Sequence, residues 1–410
     1  DGQEAVVVDL PHDWSILGVP SADEPSGNDG GYYPTGKAQY RKVLHMKQVA
    51  PDRRYALYFE GVYMNAEVVV NGTSTGVQHY GYSSFLRDIT PLLHEGDNEI
   101  VVNVDNSQQR NTRWYTGSGI YRHVWFIETA DVHFKHWGTF ITTPVVDASG
   151  TSLVSVKTVL VNESDRERVM QVAVSLQGTT NDGGSLNAAK ETIVRLQPNE
   201  EREAELLIDV PNACLWSPDT PHLYEANLTV AEQDNPNEPI DQVTETFGIR
   251  SIAFNAEQGF LLNGQPIELN GGCLHHDNGI LGASAFDRAE ERKAELMKAA
   301  GFNAVRTSHN HPSTAFLAAC DRIGLLVIDE AFDGWRVAKT PHDYSKYIDQ
   351  HWRDDLAALV LRDRNHPSIF AWSMGNEVIE RKEIQVVTTA RKLARLCREL
   401  DPTRPVTSAL

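Results

Sequence analysis

Residues 366–380 read HPSIFAWSMGNEVIE. The apolar run from Ile369 to Met374 is short and ends abruptly on Gly375, Asn376 and Glu377. A run of this length bounded by turn residues fits a strand buried on both faces, as in a parallel sheet. Such a strand has no packing use for an amide beside a carboxyl at its end. The reason for that pair depends on which element of its domain this strand is.

The flanking sequence supplies the position. From about Phe254, QPIELNGGCLHH (265–276) reads as a strand, and DRAEERKAELMKAAG (287–301) as a helix with Asp287 as N-cap, Glu290 completing a capping box and Gly301 as stop. Strand FNAVRTSH (302–309), helix STAFLAACDRIG (313–324), strand LLVIDEA (325–331) and helix YIDQHWRDDLAALVLRDRN (347–365) follow. After the quoted strand come helix EIQVVTTARKLARLCREL (383–400) and the start of a strand, RPVTSAL (404–410). Strict alternation at these lengths means parallel βα units. Four complete units and the start of a fifth predict the first half of a (β/α)8 TIM barrel over 253–410, with the quoted strand fourth.

Upstream the pattern is all β. In 1–130, RYALYFEGVYMNAEVVVNG (54–72) alternates and stops at Asn71-Gly72, a hairpin signal; GDNEIVVNVDN (96–106) and GIYRHVWFIE (119–128) are further strands, together a jelly-roll-like β-sandwich. In 131–252, SLVSVKTVLVNES, MQVAVSLQ, ETIVRLQ, EAELLIDV and HLYEANLTVA have the count and spacing of an immunoglobulin-like sandwich without its cysteine pair. The expected fold class is therefore multidomain, β plus α/β.

Composition narrows the function. A formal net charge of −19 over 410 residues repels phosphate backbones and argues against nucleic acid. Cys214, Cys273, Cys320 and Cys397 are far apart and read as packed thiols. No apolar run is long enough to span a bilayer. The opening VVVDLPHDWSI (6–16) reads as domain interior and leaves room for a leader already removed; the compartment stays open between cytoplasm and export. The sequons at Asn71, Asn162 and Asn227 carry little without a known secretory host.

In such barrels the chemistry lies at the C-terminal strand ends. The first strand delivers His275, His276 and Asp277, the second Arg306 and His309, the third Asp329 and Glu330, the fourth Asn376 and Glu377. One such residue can simply cap a helix; four strands in succession argue for a site. A carboxyl partly desolvated by the barrel wall favours its neutral form and can protonate a leaving-group oxygen. An adjacent Asn can bond a sugar hydroxyl next to the reacting carbon, and a second carboxylate about 5 Å away would complete a retaining glycosidase. The His, Asp and Glu set could also bind a metal, but no spacing fixes a ligand geometry; a structural cation stays open and the chemistry requires no cofactor.

RNHPSIFAWSMGNE (364–377) closely resembles the acid/base signature of glycoside hydrolase family 2, and FNAVRTSHNHP (302–312) its second hallmark, departing at HNHP. LPHDWSI, GVYMNAEVVVNG and GSGIYRHVW resemble the family's sugar-binding sandwich, so the resemblance runs through the chain in the family's domain order. It implies a retaining exo-glycosidase acting on β-linked sugars, with Glu377 as acid/base, Asn376 as its flanking sugar contact, and Arg306 and His309 touching substrate or orienting the nucleophile. Asp277, with His275 beside it, is a candidate for sugar hydroxyls; Asp329 and Glu330 are weaker candidates. Arg113 and Trp114 are also candidates, because relatives reach the active site from the sandwich.

DEAFDGW and HHDNG most resemble the β-galactosidase branch; β-glucuronidases and β-mannosidases share the architecture. The family nucleophile is a Glu ending the seventh barrel strand, so the resemblance implies that this chain lacks it and is inactive alone. A half-barrel with open edges predicts homo-oligomers through those edges, or disorder near the carboxyl end. The competing readings are a non-catalytic carbohydrate-binding protein, with Trp14, Trp114, Tyr115, Tyr121 and Trp125 as stacking platforms, and a metal-dependent barrel hydrolase.

Overall fold

The computed structural model describes residues 5–409. The amino-terminal sandwich packs a sheet ordered Gly36–Met46, Gly96–Asn106, Ala66–Val70, Thr73–Gln78 against one ordered Phe85–Asp88, Arg53–Phe59, Val124–Ala130. Alternate residues of these strands fill the space between the sheets, with Val68, Val70, Val102 and Val104 buried and Phe59 stacked on Phe85 at 4.9 Å. Asn71 and Gly72 take φ of +49° and +80° at the hairpin, the left-handed pair that such a turn demands. One expected strand is shorter: GIYRHVWFIE enters the sheet only from Val124. Ile120, Tyr121 and Arg122 instead lie buried, and Arg122 Nη2 donates to the His311 carbonyl at 2.7 Å across to the barrel.

The second domain is a sandwich of Glu200–Pro211, Thr151–Asn162 and Val132–Phe134, with Phe140–Val145 paired to Thr151–Asn162, against Ser185–Leu196, Arg168–Thr179, Tyr224–Glu232 and Asp241–Phe247. A small sheet of Ile252–Asn255, Gly259–Leu262 and Gln265–Pro266 leads on. Its Phe260 and Leu262 pack with Leu326 and Phe370.

Five parallel strands follow in sequence order: Gly271–Leu274, Ala304–Thr307, Leu326–Glu330, Ile369–Asn376 and Val406–Ala409. Helices Asp287–Ala299, Thr314–Ile323, Ile348–Asp363 and Gln385–Leu400 connect them. The fourth strand is buried along its whole length, as a near-continuous apolar run requires. Ser313 caps the second helix by accepting from Phe316 N, and Gly324 ends it at φ +74°. The first helix departs from expectation. Phe286 occupies its N-cap, Asp287 pairs outward with His123 at 2.7 Å, and buried Glu290 accepts from Asn278 and Ser313 instead of closing a capping box. Three tertiary partners outcompete the two local bonds of a capping box. Cys273 is exposed, against the reading of all four cysteines as packed thiols, while the other three are buried. Among the described residues no helix is long and apolar enough to cross a membrane.

The sandwich docks on the barrel through Tyr80 Oη to the Ala331 carbonyl at 2.7 Å, Gln78 to Asp355 at 2.8 Å, and buried Arg362 to Ser84 Oγ at 2.9 Å. This contact carries the Arg113–Trp114 loop to the C-terminal ends of the barrel strands.

Candidate active site

Glu330 anchors the site from below. It is fully buried at the end of the third strand and takes both arms of the Arg306 guanidinium, Nε at 2.9 Å and Nη2 at 3.0 Å. His309 Nδ1 lies 2.7 Å from the same carboxylate, and Ser373 Oγ donates to it at 2.6 Å. Burial opposes the Arg306 charge, but the Glu330 bonds outweigh it and raise the guanidinium above its ordinary value. Glu330 therefore has no free oxygen to offer a ligand and holds Arg306 and His309 in place. Asp329 sits deeper, fully buried, with Thr307 as a hydrogen-bond partner at 3.2 Å. Burial and the neighbouring Asp363 push its carboxyl up. Of the two weaker third-strand candidates, then, neither opens toward a ligand.

Asn376 is oriented from both ends. Its Oδ1 accepts from Arg306 Nη2 at 2.6 Å, and its Nδ2 donates to Asp333 Oδ1 at 3.0 Å. An arginine cannot accept, so the amide has one allowed orientation, and its second N–H is left for a ligand. Asp333 also accepts from Arg113 at 2.6 and 3.0 Å and from Lys339 at 3.0 Å. Burial works against the Asp333 charge; the bonds from Arg113 and Asn376 and the Lys339 ammonium outweigh it and hold its carboxyl below the usual range. Lys339 further donates to the Asn376 carbonyl at 2.7 Å. Asp333 and Lys339 were absent from the sequence-derived set. Both sit in the loop after the third strand, where no periodicity marks a side chain, although Asp333 stands in the DEAFDGW segment.

Glu377 follows with φ +42°, in the left-handed region that a residue bearing Cβ rarely adopts. This turns the carboxylate out of the strand line, where its Oε2 lies 3.5 Å from Arg113 Nη1. The side chain is 64 % exposed, so the desolvation expected from the barrel wall is not supplied by the described residues. Gly375 is required by packing just before it: a Cβ there would come 2.7 Å from Nε1 of the buried Trp335, which donates to the Met374 carbonyl at 3.0 Å.

From the first strand, His275 faces the site and His276 does not. His275 stands against Trp114 at 5.0 Å and His309 at 5.5 Å between ring centroids. Burial and then His309 lower its affinity for a proton, which keeps it neutral. His276 is buried toward the sandwich, with Nε2 3.2 Å from the Thr116 carbonyl. Asp277 is partly buried and accepts from Gly279 N at 3.4 Å. Trp114 closes the wall, its Nε1 donating to Tyr82 Oη at 3.0 Å. The other aromatics lie elsewhere: Tyr121 is buried, Tyr115 bonds Asp13, Trp125 bonds Glu60 and Trp14 packs near Tyr40. A cleft of about 50 Å³ between sandwich and barrel is lined by Arg113, Trp114, His309, Asp333 and Lys339. Among the described residues no group of three or more His, Cys, Asp or Glu is placed to hold a metal ion.

Family models agree with this architecture in domain order. The sugar-binding domain of glycosyl hydrolases family 2 matches residues 22–130, the model described simply as glycosyl hydrolases family 2 matches 132–250, and the family's TIM barrel domain 254–409. The chain belongs to glycoside hydrolase family 2. Among curated relatives, a β-galactosidase of Bacteroides ovatus is 40 % identical over 98 % of this chain and 50 % of its own length. A putative β-glucuronidase of Formosa agariphila is 36 % identical over 98 % of this chain and 37 % of its own. A crystal structure of a family 2 member from Bacteroides cellulosilyticus superposes with a TM-score of 0.93 at 44 % identity, over 98 % of this chain and 52 % of that one. The chain thus spans about half the length, or less, of these three relatives.

Proposed function

We propose that this family 2 glycosidase chain carries the acid/base half of a retaining mechanism directed at terminal β-D-galactosides. Glu377 donates its proton to the glycosidic oxygen and then, as carboxylate, takes one from water. Asn376 presents its free N–H to the hydroxyl beside the reacting carbon. Arg306 and His309, held by Glu330, bind sugar hydroxyls, with His275 and Asp277 beside them and Trp114 as an apolar wall. The observation that carries the reading is the pairing at the end of the fourth strand: an Asn locked in one orientation, next to a carboxylate turned out of line on a strained backbone. Similarity to the B. ovatus β-galactosidase supports the galactoside choice. Glucuronides are the second reading, on the strength of the F. agariphila relative.

Each catalytic cycle also needs a second carboxylate and a neutral Glu377. The resemblance puts that nucleophile on a later barrel strand, so none of residues 1–410 is assigned to it, and the chain by itself is proposed to be inactive. Further barrel strands and the bound sugar would supply the desolvation that Glu377 lacks here. The test is hydrolysis of aryl β-galactosides and aryl β-glucuronides, by this chain and by a version extended to the relatives' full length. The extended protein should turn over the galactoside and lose that activity with Glu377→Gln. Turnover by the 410-residue chain that Glu377→Gln abolishes would overturn the assignment of inactivity.

A further inference from the structure

Three guanidinium groups meet at the opposite end of the parallel sheet. A cleft of about 250 Å³ lies where the immunoglobulin-like domain reaches the segments just before the fourth and fifth barrel strands. Arg250, Arg364 and Arg404 line it with Thr142, Ser251 and Thr403, and no acidic residue is among its lining groups. The arginines are only 8 %, 9 % and 7 % exposed.

Buried arginines ordinarily find carboxylates, because an unpaired buried charge is costly. Arg250 instead donates to the backbone carbonyls of Pro367 at 2.5 Å and Ile369 at 2.6 Å. Arg364 donates to the carbonyls of Leu400 and Trp137, both at 3.1 Å, and its buried Nε has no partner among the described residues. Arg404 has a carboxylate, Asp401 at 2.7 Å, but Asp401 also accepts from Trp372 and Thr403. Nearby Asp321 is committed to His366 and Ser368, and Glu245 to Asn365. Burial, reinforced by Arg404, pushes the Arg250 guanidinium down to about 9, and burial brings Arg364 to about 10. Both directions mark positive charge without enough compensation.

We infer that this cleft is an oxyanion site, taking phosphate, sulfate or a ligand's phosphoryl or sulfuryl group between Arg250, Arg364 and Arg404. Guanidinium forks match such oxygens, and the lining hydroxyls add donors. The site lies at the N-terminal rim, away from Glu377, on the face of such barrels that serves stability. An anion there joins the immunoglobulin-like domain to the barrel by bridging arginines from both. The inference does not depend on the glycosidase reading.

The test is thermal unfolding of the whole chain in chloride, phosphate and sulfate at matched ionic strength, with calorimetric titration of inorganic phosphate. Phosphate should raise Tm saturably by roughly 2 °C or more, with about one equivalent bound. An equal response to sulfate marks a general oxyanion site, and a larger one to phosphate marks phosphoryl preference. Replacing an arginine risks the fold, so the second variant is Ser251→Glu, at an exposed lining position. It brings a carboxylate to the cleft and leaves all three arginines, and should raise Tm in chloride and abolish the phosphate response. Equal Tm values in the three salts would overturn the inference. So would a rise that is unsaturable or unchanged in Ser251→Glu, since salt exclusion alone gives that.

Discussion

Replacing Asp333 by Asn keeps the shape of the side chain and removes the charge on which Arg113, Asn376 and Lys339 converge. The Lys339 ammonium suffers most, because its side chain is 7 % exposed and its remaining acceptors are the carbonyls of Asp333 and Asn376. Breaking a buried ion pair costs about 3–5 kcal/mol, and hydrogen bonds to charged groups contribute about 1.5–3 kcal/mol each without adding simply. Asp333 is itself 20 % exposed, which places the expectation at the low end, about 3 kcal/mol. Lys339→Met in the Asp333→Asn background removes the stranded charge, so the double variant should recover about 1–2 kcal/mol relative to additivity. Hydrogen exchange of the peptide spanning the fourth strand reads the local opening free energy without assuming that three domains unfold together. The sign with pH is fixed as well. A carboxyl held below its unfolded value stabilises above about pH 4 and loses that contribution as pH falls through its folded value, so the gap between wild type and Asp333→Asn should close in acid. A change within about 0.5 kcal/mol, with no coupling to Lys339, would refute the role given to Asp333.

Gly375→Ala forces a Cβ to 2.7 Å from Trp335 Nε1 and should cost about 1–3 kcal/mol by overpacking, seen as a lower Tm and faster exchange at Asn376; an unchanged Tm contradicts the packing argument. Burial lowers the proton affinity of His275, His276 and His311, with nearby cations and histidines adding to it, so each stays neutral in the folded chain while its unfolded counterpart titrates near 6.5. The unfolded chain then binds more protons, and stability should fall as pH drops below about 6.5, by up to about 3 kcal/mol per unit from the fully buried His276 and His311 at the steepest, with the partly exposed His275 adding less and His366, raised by Asp321, acting in the opposite sense. A Tm that is flat or rising from pH 6.5 to about 5.5 counts against this. Among the described residues, the outer strands Gly271–Leu274 and Val406–Ala409 each have one hydrogen-bonding edge unpaired in the sheet order, so we expect light scattering to find association of this chain through them; a monodisperse monomer would speak against it.

Where local pattern carries the information, the sequence was sufficient. The βα alternation, the Asn71-Gly72 hairpin and the Ser313 and Gly324 helix boundaries depend on neighbours within a few residues. The strand-end rule likewise placed Arg306, His309, Asn376 and Glu377 at one end of the sheet. The misses involve partners distant in the chain. Asp287 and Glu290 spell a capping box, but His123, Asn278 and Ser313 occupy their oxygens. Tyr121 and Arg122 continue an alternating pattern, yet lie buried where Arg122 reaches the barrel loop at His311. Asp333 and Lys339 sit in an irregular loop, and their importance appears only when the sandwich delivers Arg113 beside them. The solvent exposure of Glu377 is equally non-local, since it depends on what covers the end of the fourth strand.

The central claim is that Glu377 is the proton donor, and leaving-group dependence measures it most directly. In a chain extended to the relatives' length, kcat/KM for wild type and Glu377→Gln would be compared on phenyl and 2,4-dinitrophenyl β-galactosides. A proton donor contributes about 10²–10⁴-fold where the leaving group needs a proton, so the variant should lose that factor on the phenyl glycoside and little on the dinitrophenyl one. Equal losses on both substrates, or none on either, would contradict the account.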